Sequence, residues 1–343
     1  MSKQLHVKNH FVPQSYLKKW EDNKKVFVYR TLVSNEKIPL WKKYSTSAIA
    51  YQKHLYTQVF SGQETDAIEI WFDREFESPA SEVIEKATND RPLSKDDWSV
   101  LIRFLALQDV RTPARMLEHL RRAKVVLTNT LQEVLNNLKE KLESQDCETL
   151  KQYNKQIENS EPFPLKVTTK FEEGKDVGII KAESYVGRST WIHSIKHVLK
   201  HTQEILHKHR WSIIKPAKGY SWFTSDNPVV KLNYINSHKY DLRGGWGVTK
   251  GNIIFPIGPE HAMFVQIGDK PIPKGTRLTV GQTIEFRKFI AENSHRMIFS
   301  KQIDNEVHKL RERIVDGDRI RRENEELNNW HRKNSVLERE YIK

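Results

Sequence analysis

The residues of greatest chemical reach in this chain sit in short polar islands between apolar runs. The stretch Phe223-Thr224-Ser225-Asp226-Asn227-Pro228-Val229-Val230 presents hydroxyls, a carboxylate and an amide, then closes on a proline that cannot continue a ladder. Asp226 could hold a metal, act as a base or pair with an arginine, and Ser225 and Asn227 could orient a substrate. An ordinary Asx turn before proline uses the same residue types. Near the start, Asn9-His10-Phe11-Val12-Pro13-Gln14-Ser15-Tyr16-Leu17 sets His10 before an extended Val-Pro, where an imidazole can serve as general base, metal ligand or backbone partner. Gln108 falls where an apolar helical stripe calls for leucine. An unpartnered buried amide costs about 1–3 kcal/mol, so Gln108 either joins a network or lines a polar cleft. Arg111, one turn on, is a permanent planar cation suited to a carboxylate or a phosphate, or to a buried ion pair that fixes its helix.

Other patterns are weaker. His193, His197 and His201 recur every four residues but lie opposite the Ile192/Ile195/Leu199/Leu206 stripe, on a face shared with Lys200 and Lys208. They read as a solvated basic face, and no metal site is expected. The chain has no GxxxxGK[ST] or GxGxxG phosphate loop, no HExxH and no GxSxG, and Glu173-Gly174-Lys175 is too short to count as a nuclease core. No cofactor is identified. A single Cys147 excludes an internal disulfide.

The elements that must position these islands follow from periodicity. Val26–Tyr29 and Leu55–Thr57 read as short strands, and 65–86 as a helix interrupted near Pro79. Ser94-Lys95-Asp96-Asp97 is a capping-box start, and Pro113 either kinks that helix or opens the next. Leu117 to Leu142 keep spacings of three and four, giving a long amphipathic helix, half of a hairpin that turns within 144–162. A helix over about 184–209 is followed by short strands at 211–214, 220–223, 252–255 and 262–265, a glycine loop at 241–247 and a last helix opening near Thr283. The expected fold is α+β: a helix-rich body with a long amphipathic helical hairpin and a small, mostly antiparallel sheet. A single domain is expected over 1–303, with a helical excursion at about 114–210, then a charged helical segment over 304–343.

The net charge of +13 is concentrated at the amino-terminal end, where residues 1–60 carry eleven Lys/Arg against three acids. Basic charge interleaved with Trp20, Tyr29, Trp41 and Tyr44 fits a nucleic-acid surface, or a solubilising lysine coat over core aromatics. No apolar run reaches the ~20 residues of a spanning helix, so a cytoplasmic protein without membrane contact is expected. The 114–142 helix is a candidate surface for a homo-oligomer.

Taken in order, six motifs resemble a bacterial domain-of-unknown-function family, number 4238. They are the 9–17 segment; Leu55-Tyr56-Thr57; Ala106-Leu107-Gln108-Asp109-Val110-Arg111-Thr112-Pro113; Phe223 to Val229; Phe255-Pro256-Ile257-Gly258-Pro259; and Asn293 with Arg296-Met297-Ile298-Phe299-Ser300. That family opens His-His-Tyr-Val-Pro-Gln; here the first histidine is Asn9, which counts against paired imidazoles. The resemblance carries no established activity, but it singles out His10, Gln108, Arg111, Asp226 and Asn227 as polar members of apolar signatures.

Two functions stay open. In the first, His10 and Asp226 are catalytic while Gln108, Arg111, Ser225 and Asn227 bind substrate, in a hydrolase or transferase acting on nucleic acid or another phosphate-bearing substrate, with a role in phage defence. In the second, those residues form a structural network and the protein is a non-catalytic module that binds nucleic acid or a partner protein.

Overall fold

The computed structural model describes residues 5–143, 163–171 and 178–342; the turn expected within 144–162 and the Glu173-Gly174-Lys175 tripeptide lie outside them. Two sheets organise the body. The larger is mixed and six-stranded, in the order Lys239–Asp241, Val230–Asn236, Asn252–Gly258, His261–Gln266, Ser212–Lys215, Thr276–Arg277. Only the last pair is parallel. It is larger than the small sheet expected from sequence, because short flanking strands with little apolar pattern extend it on both sides. Asn252–Gly258 is buried along its whole length, as a central strand should be. A second, antiparallel sheet runs Thr224–Ser225, Met297–Ser300, Val26–Arg30, Trp41–Tyr44.

Two strand expectations fail. Residues 220–223 are irregular and pairing begins only at Thr224, inside the polar island. Leu55–Thr57 is likewise irregular, between strands Tyr51–Lys53 and Gln58–Phe60. Both segments are apolar because they are buried, not because they pair.

The helices follow their local signals. Helix Lys95–Val110 carries the reciprocal capping box of Ser94 and Asp97. Pro113 opens helix Pro113–Glu143 rather than kinking its predecessor. Upstream, helices Ala67–Phe72 and Ser78–Thr88 are joined by a π-helical turn over Asp73–Glu77. That wider turn relieves the missing N–H and the ring clash that Pro79 imposes on the turn before it.

The C-terminal helix Gly317–Tyr341 is locked to the body at its far end. Arg188 and Glu338 are both fully buried, and Glu338 accepts from Arg188 Nε at 2.9 Å and Nη2 at 2.5 Å, from Ser189 Oγ at 2.9 Å and from Val59 N at 2.8 Å. Gly187 allows the approach, since a Cβ there would meet Asn334 Oδ1 at 2.5 Å. Removing one partner of such a pair strands a buried charge. Glu338→Gln is therefore expected to lower unfolding free energy by about 3–5 kcal/mol, whereas Glu340→Gln on the exposed face stays within about 0.5 kcal/mol, measured by urea denaturation.

Candidate functional site

The motif residues hold one another. Tyr16, 1% exposed, places its hydroxyl 2.7 Å from Thr224 Oγ1 and donates to Pro256 O at 2.6 Å, while its ring stacks on Phe255 at 5.4 Å. Asn9 accepts from Tyr56 N at 3.1 Å and donates to His6 O at 2.8 Å. A neutral imidazole also offers one acceptor and one donor, so Asn9 fills a place where the resembling family has histidine.

Arg111 is completely enclosed. Its guanidinium bonds Glu77 and the backbone carbonyl of His10, lies 3.6 Å from Glu69 Oε1, and sits 4.8 Å from the centre of the Phe72 ring. The Tyr56 hydroxyl donates to Arg111 O. The first motif thus reaches Arg111 through the main chain of His10, not its ring. That ring is partly buried and tilted on Tyr51 at 5.6 Å, and its Nε2 has no hydrogen-bond partner. Burial, then the charge of Lys8, holds it neutral, with its pKa lowered to about 4. Gln108 is also sealed, with neither amide atom partnered.

Asp226 and Asn227 work as a pair of clamps. The Asp226 carboxylate, 2% exposed, accepts from the backbone N–H groups of His295 at 2.8 Å, Arg296 at 2.7 Å and Met297 at 3.0 Å. Burial pushes its pKa up to about 6 against the downward pull of those donors. Asn227 Oδ1 accepts from Thr112 Oγ1 at 3.2 Å, its Nδ2 donates to Asn293 O at 2.9 Å, and Asn293 Nδ2 returns a bond to Asn227 O at 2.6 Å. Ser225 Oγ accepts from Asn227 N at 3.2 Å.

Beside this knot lies a cavity of about 1280 Å³ between the body and the C-terminal helix. Phe11, Pro113, Asp226 and His295–Met297 line it, so four of the motif segments reach the same space even though Arg111, Gln108 and Asn227 do not face it. The opposite wall includes Arg319, Glu323, Glu326, Trp330 and Lys333 of the C-terminal helix, and Arg30, Tyr51, Glu118, Arg121 and Arg122 also line the cavity. Among the described residues Arg30, Arg121, Arg122 and Lys333 make no salt bridge, although the charge of Arg122 is felt by Glu118.

Sequence reasoning missed His295. The residue lines the cavity, and its ring is held neutral with a pKa lowered to about 4 by burial first and then by Arg296. The available signal was the polar run Asn293-Ser294-His295-Arg296 between a buried helix and a buried strand. It also missed a cluster elsewhere, where His54, Glu64 and His331 bring ligand atoms within 4.8 Å of one another. There Arg188 Nη1 donates to His331 Nδ1 at 2.9 Å, which leaves the ring proton on Nε2, 2.9 Å from Glu64. A cation would need that nitrogen lone pair, so the arrangement is a hydrogen-bond relay from arginine to carboxylate.

Two outcomes test the knot. Asp226→Asn turns an acceptor toward backbone N–H groups into a donor and should cost about 1–3 kcal/mol in denaturant melts. Glu69, whose pKa burial raises from 4.5 to about 7, binds its proton more tightly in the native state. Its contribution is complete below pH 4.5 and lost as pH rises through 7, so wild-type stability relative to Glu69→Gln should fall by about 3 kcal/mol between pH 4.5 and pH 8.

No curated protein and no solved structure matches the chain significantly. The described residues contain no helix long and apolar enough to cross a membrane. One family model does match, over residues 8–304, and it takes in all six motifs and the body side of the cavity: the chain belongs to the family described as "Protein of unknown function (DUF4238)".

Proposed function

We propose that this protein binds a phosphate-bearing ligand, a nucleic-acid strand in particular, in the cavity between the body and the C-terminal helix. The observation that carries this reading is the group of cations without a salt bridge among the described residues, Arg30, Arg121, Arg122 and Lys333, around a space that also has aromatic walls in Phe11, Tyr51 and Trp330. Glu118 and Glu326 line the same space, yet the cations outnumber the acids there; such an excess holds phosphates, and rings beside it offer stacking surface to bases. A volume of about 1280 Å³ exceeds the ~300–1,000 Å³ of ordinary small-molecule pockets, which favours a strand over a single nucleotide. The basic amino-terminal face adds long-range attraction.

A second reading, hydrolase or transferase chemistry on the same ligand, is favoured by Asp226. It meets the cavity with a carboxyl raised to about 6, and the neutral His295 imidazole lines the same space. In that reading Asp226 is the acid/base group, and the imidazole role passes from His10, whose free nitrogen is sealed, to His295.

Arg121, Arg122 and Lys333 are exposed, so reversing them should leave the melting temperature unchanged. The triple variant Arg121→Glu/Arg122→Glu/Lys333→Glu is expected to bind labelled single-stranded DNA and RNA at least tenfold more weakly. Its plot of log affinity against log salt should flatten by about 2. Unchanged affinity, or wild-type binding indifferent to salt, would rule out this site. Turnover of the strand by wild type, lost in Asp226→Asn under conditions where that variant is folded and still binds the strand, would support the second reading.

A further inference from the structure

Resting on the binding function above, we propose that Arg296 and Arg319 form a seat for one phosphate group of the ligand, and that Glu323 is its built-in occupant. Arg296 grips Glu323 with two parallel bonds, Nε to Oε2 at 2.8 Å and Nη2 to Oε1 at 2.5 Å. Arg319 Nε adds a third, to Oε1 at 3.1 Å. Two guanidinium groups therefore share one carboxylate, and the fork geometry that Arg296 offers it fits a phosphate equally well.

The seat has a fixed side and a movable side. Arg296 stands on main chain held by Asp226, which accepts from the N–H groups of residues 295, 296 and 297. Its Nη1 is tied to His295 O at 2.7 Å. Glu323 and Arg319 belong to the near half of the C-terminal helix, whose buried anchor, the Arg188–Glu338 pair, lies in the far half. The side chains of Arg296, Glu323 and Arg319 are 24%, 31% and 41% exposed, so all three can be reached from the cavity they line.

The charge at this wall is unbalanced in the direction an anion needs. Glu323 is the one carboxylate paired with Arg296 and Arg319 among the described residues, and Arg30 on the same cavity has only the Tyr44 ring at 5.6 Å. A backbone phosphodiester matches the single charge of the carboxylate it displaces and a terminal phosphate exceeds it, and the partly exposed Glu323 can turn to solvent. Arg319, Glu323 and Lys333 lie beyond residue 304, where the family match ends. Ligand selection at this seat thus belongs to the C-terminal helix rather than to the family body.

The test uses the full chain and a fluorescein-labelled single-stranded oligonucleotide, with inorganic phosphate and a nucleoside monophosphate as competitors. Removing the occupant's charge by Glu323→Gln is expected to tighten oligonucleotide binding roughly tenfold and to make both competitors more effective. Arg319→Gln, which takes one guanidinium from the seat, should weaken binding severalfold. Tighter binding in a variant that has lost an ion pair is an outcome a merely structural role for Glu323 does not give. If wild type binds but Glu323→Gln binds equally or more weakly, the seat is wrong and the binding function stands. If Arg319→Gln binds as wild type does, the seat is wrong as well. If neither wild type nor Glu323→Gln binds any of the probes, the binding function falls and the seat with it.

Discussion

A guanidinium with no access to water must be neutralised and hydrogen-bonded on the spot, and Arg111 is such a group. Its requirements gather the fold. Glu69 comes from the helix before the π-helical turn and Glu77 from the last residue of that turn, the His10 carbonyl from the first motif, and the Tyr56 hydroxyl closes on Arg111's own carbonyl. The next two residues then act outward: Thr112 bonds Asn227, and Pro113 starts the helix whose first turns wall the cavity. Once Arg111 is seated, the first, third and fourth motifs are fixed relative to one another.

The same logic explains why the polar signature residues are poor candidates for binding pockets of their own. Asn227 and Asn293 exchange bonds with each other's backbone and with Val229 O, and Tyr16 spends its hydroxyl on Thr224 and Pro256. A buried amide or hydroxyl that is fully partnered contributes about 1 kcal/mol per bond and fixes geometry, but it has no capacity left for a ligand. Gln108 and the His10 ring are exceptions; Gln108 is buried with both amide atoms unpartnered, and its place on the core face of helix Lys95–Val110 keeps it from the cavity wall.

Local rules made much of the fold legible. The Ser94 capping box, the opening of a helix at Pro113, the strand at Val26–Arg30 and the buried run at Asn252–Gly258 all depend on neighbours a few residues away. What could not be read depended on distant partners. The segment 220–223 looks like a strand because Trp222 and Phe223 are buried, yet the Trp222 carbonyl accepts from Trp20 Nε1 and its N–H donates to Pro259 O, which leaves no ladder to join. Likewise the sequence marks Asp226 as special without saying what it holds. A carboxylate before Asn-Pro suits a turn, a metal or a base equally, and only the antiparallel pairing of Thr224–Ser225 with Met297–Ser300 brings residues 295–297 under it. His295 escaped notice for the same reason, since its neighbours across the cavity are more than twenty residues further along the chain.

The C-terminal helix shows how a segment of zero net charge can still govern an electrostatic site. Residues 304–343 carry ten basic and ten acidic side chains, so their sum says nothing about partners. Their distribution does. Glu338 is taken inward to neutralise Arg188, and Glu323 is shared between Arg296 and Arg319, while Lys333 faces the cavity without a carboxylate partner among the described residues. Burying one acid and dividing another between two arginines leaves bases in excess at the cavity wall, where Glu326 also lies, although the segment is neutral. The anchor that holds the helix to the body and the field that the helix presents to the cavity therefore share one origin: body arginines engage two of the helix's acids, Glu338 and Glu323, and leave Lys333 without a salt bridge among the described residues.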